Sequence, residues 1–202
     1  MSRYCFYIDG FNVYYALREN PAYHKYKWLN YHKLAESVIL AEDTIERIYY
    51  FTTFVRWKPK TVQRHEKYIK ALRSVGVETV QGRFLKKNIK CHRCHKYFAT
   101  HEEKQTDVNI ALKVLVDAID DLYDKALIIS ADSDLLSVIK SVQKYAPEKE
   151  IGVMFPIGRT SLELRKNASF RRKMPEKLLQ DCQFPDKVKI GNIMINRPDG
   201  WS

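Results

Sequence analysis

The sequence predicts one three-layer α/β/α domain, with helices covering both faces of a mainly parallel sheet of about five strands. Two observations carry that expectation. Apolar runs of strand length alternate with helical stretches along most of the chain, and no repeat or interdomain linker interrupts them. The 202 residues suit a single core, and 45% hydrophobic with 12% aromatic content excludes a disordered chain. No apolar run reaches the length of a membrane span.

The first strand, Tyr4 to Ile8, is continuously apolar and aromatic, the pattern of a strand buried on both faces. It stops at Asp9-Gly10, after which helices are expected over Asn12 to Leu17 and Tyr31 to Leu40. Ile45 to Phe54 is rich in Ile, Tyr, Phe and Thr and reads as the second strand. Val62, Ile69, Leu72 and Val75 share a face over Thr61 to Val75, a helix that Gly76 stops. Val77 to Gln81 alternates as the third strand, whereas residues 83 to 101 show no clean period and read as an insertion. Val108, Ala111, Leu112, Leu115, Ala118, Ile119 and Leu122 make the stripe of a long helix, widened by Ile110 and Val114. Ala126 to Ser130 follows as a central strand, then a helix from Ser133 to Tyr145 that buries Leu135, Val138, Ile139 and Val142. Ile151 to Phe155 is the fifth strand and Thr160 to Ala168 the last helix. The domain is expected to span residues 1 to 174, with 175 to 202 packed on it or trailing from it.

Charge narrows the partners. Lys and Arg number 35 against 24 Asp and Glu, a net charge of +11. A domain this basic favours polyanions, because cations near phosphates release condensed counterions. Solvated helix faces are the plainer explanation, preferred for Lys58, Lys60, Arg64 and Lys67. Two other segments combine cations with aromatics or follow a strand end. Lys86, Lys87, Lys90, Arg93 and Lys96 lie beside Tyr97 and Phe98, and Arg159, Arg165, Lys166, Arg171, Arg172 and Lys173 follow the fifth strand. Such mixtures hold single-stranded nucleic acid, phosphates on cations and bases on rings. Four cysteines without a disulfide framework, and no leader pattern at the N-terminus, set the expectation of a reducing, cytoplasmic setting.

Acidic residues stand where the strands stop. Asp9 follows the first strand, Asp132 and Asp134 follow the fourth in Ser130-Ala131-Asp132-Ser133-Asp134, and Asp107 opens the long helix. Ligands of open parallel sheets sit beyond the carboxyl ends of strands. Hard divalent cations take oxygen ligands, and crowded carboxylates repel one another unless a cation joins them. Asn12 and Ser130 add neutral oxygens at the same rim. Each acid is also what a helix N-terminus favours as a cap, and Asp134 fits that plain role best of the four.

Three motifs now make the chain familiar. Tyr7-Ile8-Asp9-Gly10-Phe11-Asn12-Val13-Tyr14-Tyr15, Lys104-Gln105-Thr106-Asp107-Val108-Asn109 and Ser130-Ala131-Asp132-Ser133-Asp134 resemble, in order and spacing, those of the NYN domain. That domain is the LabA-like branch of the PIN-like nucleases, and the resemblance spans roughly residues 3 to 170. It implies a Rossmann-like sheet and a ribonuclease dependent on Mg²⁺ or Mn²⁺. Asp9, Asp107 and Asp132 would then be metal ligands, Asp134 a further acid, and Asn12 and Ser130 orienting groups. RNA over DNA is part of that implication, with Lys90, Arg93, Lys96, Arg159, Arg165 and Lys166 as candidate contacts. No membrane partner is expected, and dimerisation stays open. Two rivals remain: an RNA-binding module without turnover that acts through a partner, and a Rossmann-like phosphatase or nucleotide-handling enzyme. The second lacks both a glycine-rich phosphate loop and an Asp-x-Asp after the first strand.

The segment Cys91-His92-Arg93-Cys94-His95 offers zinc ligands, with Cys91, Cys94, His95 and His101 as the candidate set. A second C-x-x-C is missing, so a pair of surface thiols is the alternative.

Overall fold

The computed structural model describes residues 1–54, 59–90 and 92–201, the side chains of residues 101–103 excepted; Lys58 and Cys91, both weighed above, lie outside the described residues. Strands β1 (Arg3–Asp9), β2 (Thr44–Thr52) and β3 (Glu78–Gln81) precede the hairpin of β4 (Arg83–Lys90) and β5 (Tyr97–Lys104). Then come β6 (Lys125–Ile129), β7 (Glu150–Phe155), β8 (Phe170–Lys173) and a second hairpin, β9 (Lys187–Ile190) with β10 (Ile193–Asn196). The helices are α1 (Gly10–Glu19), α2 (Tyr31–Glu36), α3 (Pro59–Ser74), α4 (Thr106–Ile119), α5 (Leu136–Tyr145), α6 (Leu162–Asn167) and α7 (Glu176–Asp181).

The main sheet has the order β3-β2-β1-β6-β7-β8, and each pairing in it is parallel. The chain winds outward from β1 to β3, returns beside β1 as β6, and winds outward again to β8. Loops leaving β1 and β6 therefore diverge, which opens a crevice at their carboxyl ends. Burial on both faces follows from the period of two. Tyr4, Phe6 and Ile8 join one hydrophobic cluster, Cys5 and Tyr7 the other.

The sheet has six strands, one more than the sequence indicates. The addition, β8, contains Arg171, Arg172 and Lys173, all exposed, so neither an apolar run nor an alternation announces it. Charged residues are what an edge strand uses against further pairing. Its anchor is Phe170, whose ring fills the space above Gly152; a Cβ there would meet it at 2.2 Å. The unpatterned segment from residue 83 is an antiparallel hairpin, paired from Arg83–Lys104 to Lys90–Tyr97.

Helix α4 is turned relative to the expected stripe. Val108, Leu112 and Ile119 are exposed, whereas Ile110, Val114 and Ala118 are buried. The buried face also carries Asp117, which accepts hydrogen bonds from the Tyr7 hydroxyl and the Lys113 ammonium, both at 2.8 Å. A helix apolar on most of its circumference does not reveal its inner face by periodicity, and here the buried hydrogen bond from Tyr7 of β1 to Asp117 marks it.

Residues beyond 175 pack into the first cluster through Leu179, Phe184, Val188, Ile195 and Trp201. The fully buried Trp28 is their counterpart. Its indole N–H donates to the Pro185 carbonyl at 2.9 Å, and its ring lies within 5.4–6.2 Å of those of Tyr68, Phe184 and Trp201.

Candidate active site at the acidic rim

Asp9 ends β1 and caps α1. Its buried carboxylate accepts the Asn12 N–H at 3.0 Å and the Ser130 hydroxyl at 2.9 Å. Gly10 is required beside it, since a Cβ would stand 2.6 Å from the Phe51 carbonyl oxygen and from the Tyr50 ring. Absence of that carbon lets α1 begin against the end of β2. The Asn12 side chain accepts the Ala131 N–H at 3.1 Å, and Ser130 Oγ accepts the Asp132 N–H at 3.0 Å. Asp132 in turn accepts the Asp134 N–H at 3.0 Å, capping a short 3₁₀ turn. One hydrogen-bonded chain thus crosses the crevice between β1 and β6.

Asp107 arrives from the hairpin. Between β5 and α4 stands Gln105 at φ +81°, a left-handed conformation uncommon for a residue with a Cβ. Gly82 at the hairpin base admits the close packing. A Cβ there would lie 2.6 Å from Thr53 Oγ1 and 2.9 Å from both the Lys104 carbonyl and Thr106 Oγ1. Asp107 follows in the first turn of α4, exposed on the rim. Partial burial of its carboxyl, then the like charges of Asp132 and Asp134, raise its pKa.

Capping accounts for Asp9 and Asp132 and fails for the other two. Helix α4 has Gln105 before it and α5 has Leu135, neither with a side-chain cap. The sequence made Asp134 the most natural cap of the four; in the structure its carboxylate is exposed and caps neither helix. Asp107 and Asp134 thus stand in first helical turns without capping them, where the helix dipole favours an acid, and Asp132 and Asp134 lie near enough to Asp107 to raise its pKa. Among the described residues, no three His, Cys, Asp or Glu side chains are already gathered tightly enough to hold one ion. Mg²⁺ does not require that, because it typically takes one or two carboxylates and fills its other positions with water and substrate phosphate.

The proposed polyanion contacts scatter over the surface. Lys90, Arg93 and Lys96 are exposed at the tip of the hairpin, and Arg165 and Lys166 on α6. Arg159 is paired with Glu19 at the far end of α1. Of the zinc candidates, Cys94 and His95 lie exposed in the hairpin turn, with His95 at φ +54°. The register pairs His101 with Lys86, four residues along the strand from Tyr97. At about 3.4 Å per residue that is roughly 14 Å from the turn.

One feature of the rim was missed in the sequence. Next to the acids, on the α1 side, lies a cavity of about 540 Å³ lined by rings and cations. Gly10 and Phe11 connect the two, since they follow Asp9 and also line the cavity. No local motif announces it: the thirteen tyrosines are spread along the chain, and Arg64, read as a solvated cation, is one of its walls.

Comparison with known proteins agrees with the fold. The family model of the NYN domain matches residues 3–172. A curated relative, the 6-hydroxy-3-succinoylpyridine 3-monooxygenase HspA of Pseudomonas putida, is 28% identical over 96% of this chain and 74% of its own. Among solved structures, a Vibrio parahaemolyticus protein of unknown function superposes with a TM-score of 0.60. It is 22% identical, with 87% of this chain and 94% of that one covered, a likeness of fold. On the match over residues 3–172, the chain belongs to the NYN domain family, within the PIN-like nuclease superfamily.

Proposed function

We propose that the protein is a divalent-metal-dependent endoribonuclease that hydrolyses phosphodiester bonds of single-stranded RNA. The observation that carries this reading is that Asp132 and Asp134 stand near enough to Asp107 to raise its pKa, beside the crevice where Asp9 ends β1, with Asp107 and Asp134 capping no helix. Family membership supports a nucleic-acid substrate, and the net charge of +11 supports a polyanion.

Asp107, Asp132 and Asp134, with Asp9 behind them, are the residues that would hold Mg²⁺ or Mn²⁺. Bound there, such a cation would supply positive charge beside the scissile phosphate and make the attacking water more acidic. The chain's own contribution is positional. Ser130 donates to Asp9 while accepting from the Asp132 backbone, which holds the two acidic loops at one spacing. Asn12 fixes Ala131 in the same way from the α1 side.

A cleavage assay with single-stranded RNA, duplex RNA and DNA, in Mg²⁺, Mn²⁺ or EDTA, tests the proposal. Single-stranded RNA is expected to be cut, EDTA to stop the reaction, and Asp132→Asn to slow it by more than about a hundredfold. Asn caps a helix as well as Asp does, so the variant keeps its 3₁₀ turn and its melting temperature. Equal turnover in Asp132→Asn, or no cleavage with either metal, would overturn the reading.

A second reading, binding of a small heteroaromatic acid, is favoured by the aromatic cavity and by the pyridine compound for which HspA is named.

A further inference from the structure

The cavity beside the rim has an unusual electrostatic composition. Three cations line it, Arg18, Lys27 and Arg64, and no Asp or Glu does. None of the three has a carboxylate within ion-pair distance among the described residues. Lys27 Nζ instead lies 5.6 Å from the centre of the Tyr14 ring, and the Arg18 guanidinium 6.0 Å from that of Tyr15. Lys27 is only 8% exposed. Burial and then the charges of Arg18 and Arg64 push its pKa down. An isolated buried charge costs several kcal/mol, so a fold that keeps one without a counter-ion leaves room for an anion to supply it.

The walls specify what that anion carries. Phe11 and Phe84 meet edge to face at 6.0 Å, joining the hairpin to α1 across the cavity. Tyr14 and Tyr15 lie at the same opening, and Trp201 closes the wall from the C-terminal segment. Thr52 and His65 share a hydrogen bond at 3.1 Å and provide polar edges deeper in. Aromatic faces with a few polar groups and surplus positive charge match a flat ring bearing an anionic group. A volume of about 540 Å³ falls within the range of small-ligand sites, roughly 300–1,000 Å³.

We infer that this cavity is a nucleotide subsite, in which one base of the RNA strand stacks on the rings while its phosphate is met by Lys27, Arg18 and Arg64. This rests on the nucleic-acid reading above and adds to it a place for the nucleotide next to the cleaved bond. The link is covalent: Asp9 of the rim is followed directly by Gly10 and Phe11 of the cavity wall. Base stacking on protein rings tolerates any sequence, so the subsite anchors the strand with little discrimination among bases.

Isothermal titration of the full chain with AMP and UMP, in EDTA, tests it. Both nucleotides are expected to bind, with adenosine, uridine and inorganic phosphate each at least tenfold weaker. Lys27→Met and Arg64→Ala should each weaken AMP at least tenfold without change in the circular dichroism melt, and Lys27→Arg should restore part of the loss. Arg64 is half-buried on α3, so its variant stays informative if Lys27→Met folds poorly. Wild-type affinity for AMP in Arg64→Ala and in a folded Lys27→Met would overturn the inference. So would phosphate binding as tightly as AMP, or nicotinate binding more tightly, the latter marking a site for small heteroaromatic acids. Repeating the titration on Asp132→Asn separates the two proposals. AMP binding is expected to stay unchanged in that variant while cleavage is lost; AMP binding by a native chain that cuts no RNA in either metal would leave the cavity standing and remove the nuclease.

Discussion

The acidic rim and the aromatic cavity adjoin at Gly10, yet they are assembled by different means. The rim is built from residues at the ends of β1 and β6 and the start of α4, and two of its acids are fixed by helix-capping hydrogen bonds. The cavity is built from side chains of α1, α2, α3, β2 and β4, the 3₁₀ stretch Pro21–Lys27 and the C-terminal segment. Local backbone geometry constrains the first, so its residues stand in short, ordered motifs. Tertiary packing constrains the second, so its residues look like ordinary core until the chain folds. A site tied to turns is written locally; a site made of core walls is not.

Three substitutions test that contrast. The largest effect on stability is expected from Trp28→Ala, which removes the ring that joins α3 to the C-terminal segment. Urea denaturation should register a loss of about 3–5 kcal/mol. A loss below about 1 kcal/mol would mean that the cavity's outer wall is not part of the core. Gly10→Ala strikes the shared residue. Its Cβ would be forced to 2.6 Å from the Phe51 carbonyl, an overpacking worth about 1–3 kcal/mol. Cleavage and AMP binding should fall together in that variant, and a drop in only one of them would show that rim and cavity are independently supported.

The smallest effect separates the regions by pH. Burial lowers the pKa of His65 from 6.5 to about 4, so the folded ring stays neutral where the unfolded ring takes up a proton. The stability from this difference is fully present above pH 6.5 and is lost as pH falls toward about 4. Its slope is at most about 1.4 kcal/mol per pH unit, and partial exposure of the residue reduces it. Thermal melts from pH 7 to 4.5 should show a shallower acid-side decline for His65→Gln than for the native chain. Parallel curves would mean that His65 is as well solvated in the folded protein as in the unfolded one.

Much of the fold was legible because strands buried on both faces must be continuously apolar, as Tyr4–Ile8 and Ala126–Ile129 are. The positions of Asp9, Asp107 and Asp132 at strand and helix junctions were legible for the same local reason. Strand β8 was not, since its pairing uses backbone groups while its side chains serve solvent. Nor was the inward face of α4, which depends on a pairing of Tyr7 with Asp117 across 110 residues. Arg64 looked like any surface cation, because only folding brings it beside Lys27 and Trp201.

Trp201 has a thermodynamic consequence. It stacks edge-on against Tyr68 at 5.3 Å and Trp28 at 6.2 Å, and it also lines the cavity. Any molecule that binds only while this wall is closed raises the free energy of detaching it, by RT ln(1 + [L]/Kd). Reciprocally, loosening the segment from Phe184 to Trp201 weakens that molecule's binding by the same factor. Order in the C-terminal segment and occupancy of the cavity are thus two readings of one equilibrium, and amide exchange along β9 and β10 would report on both.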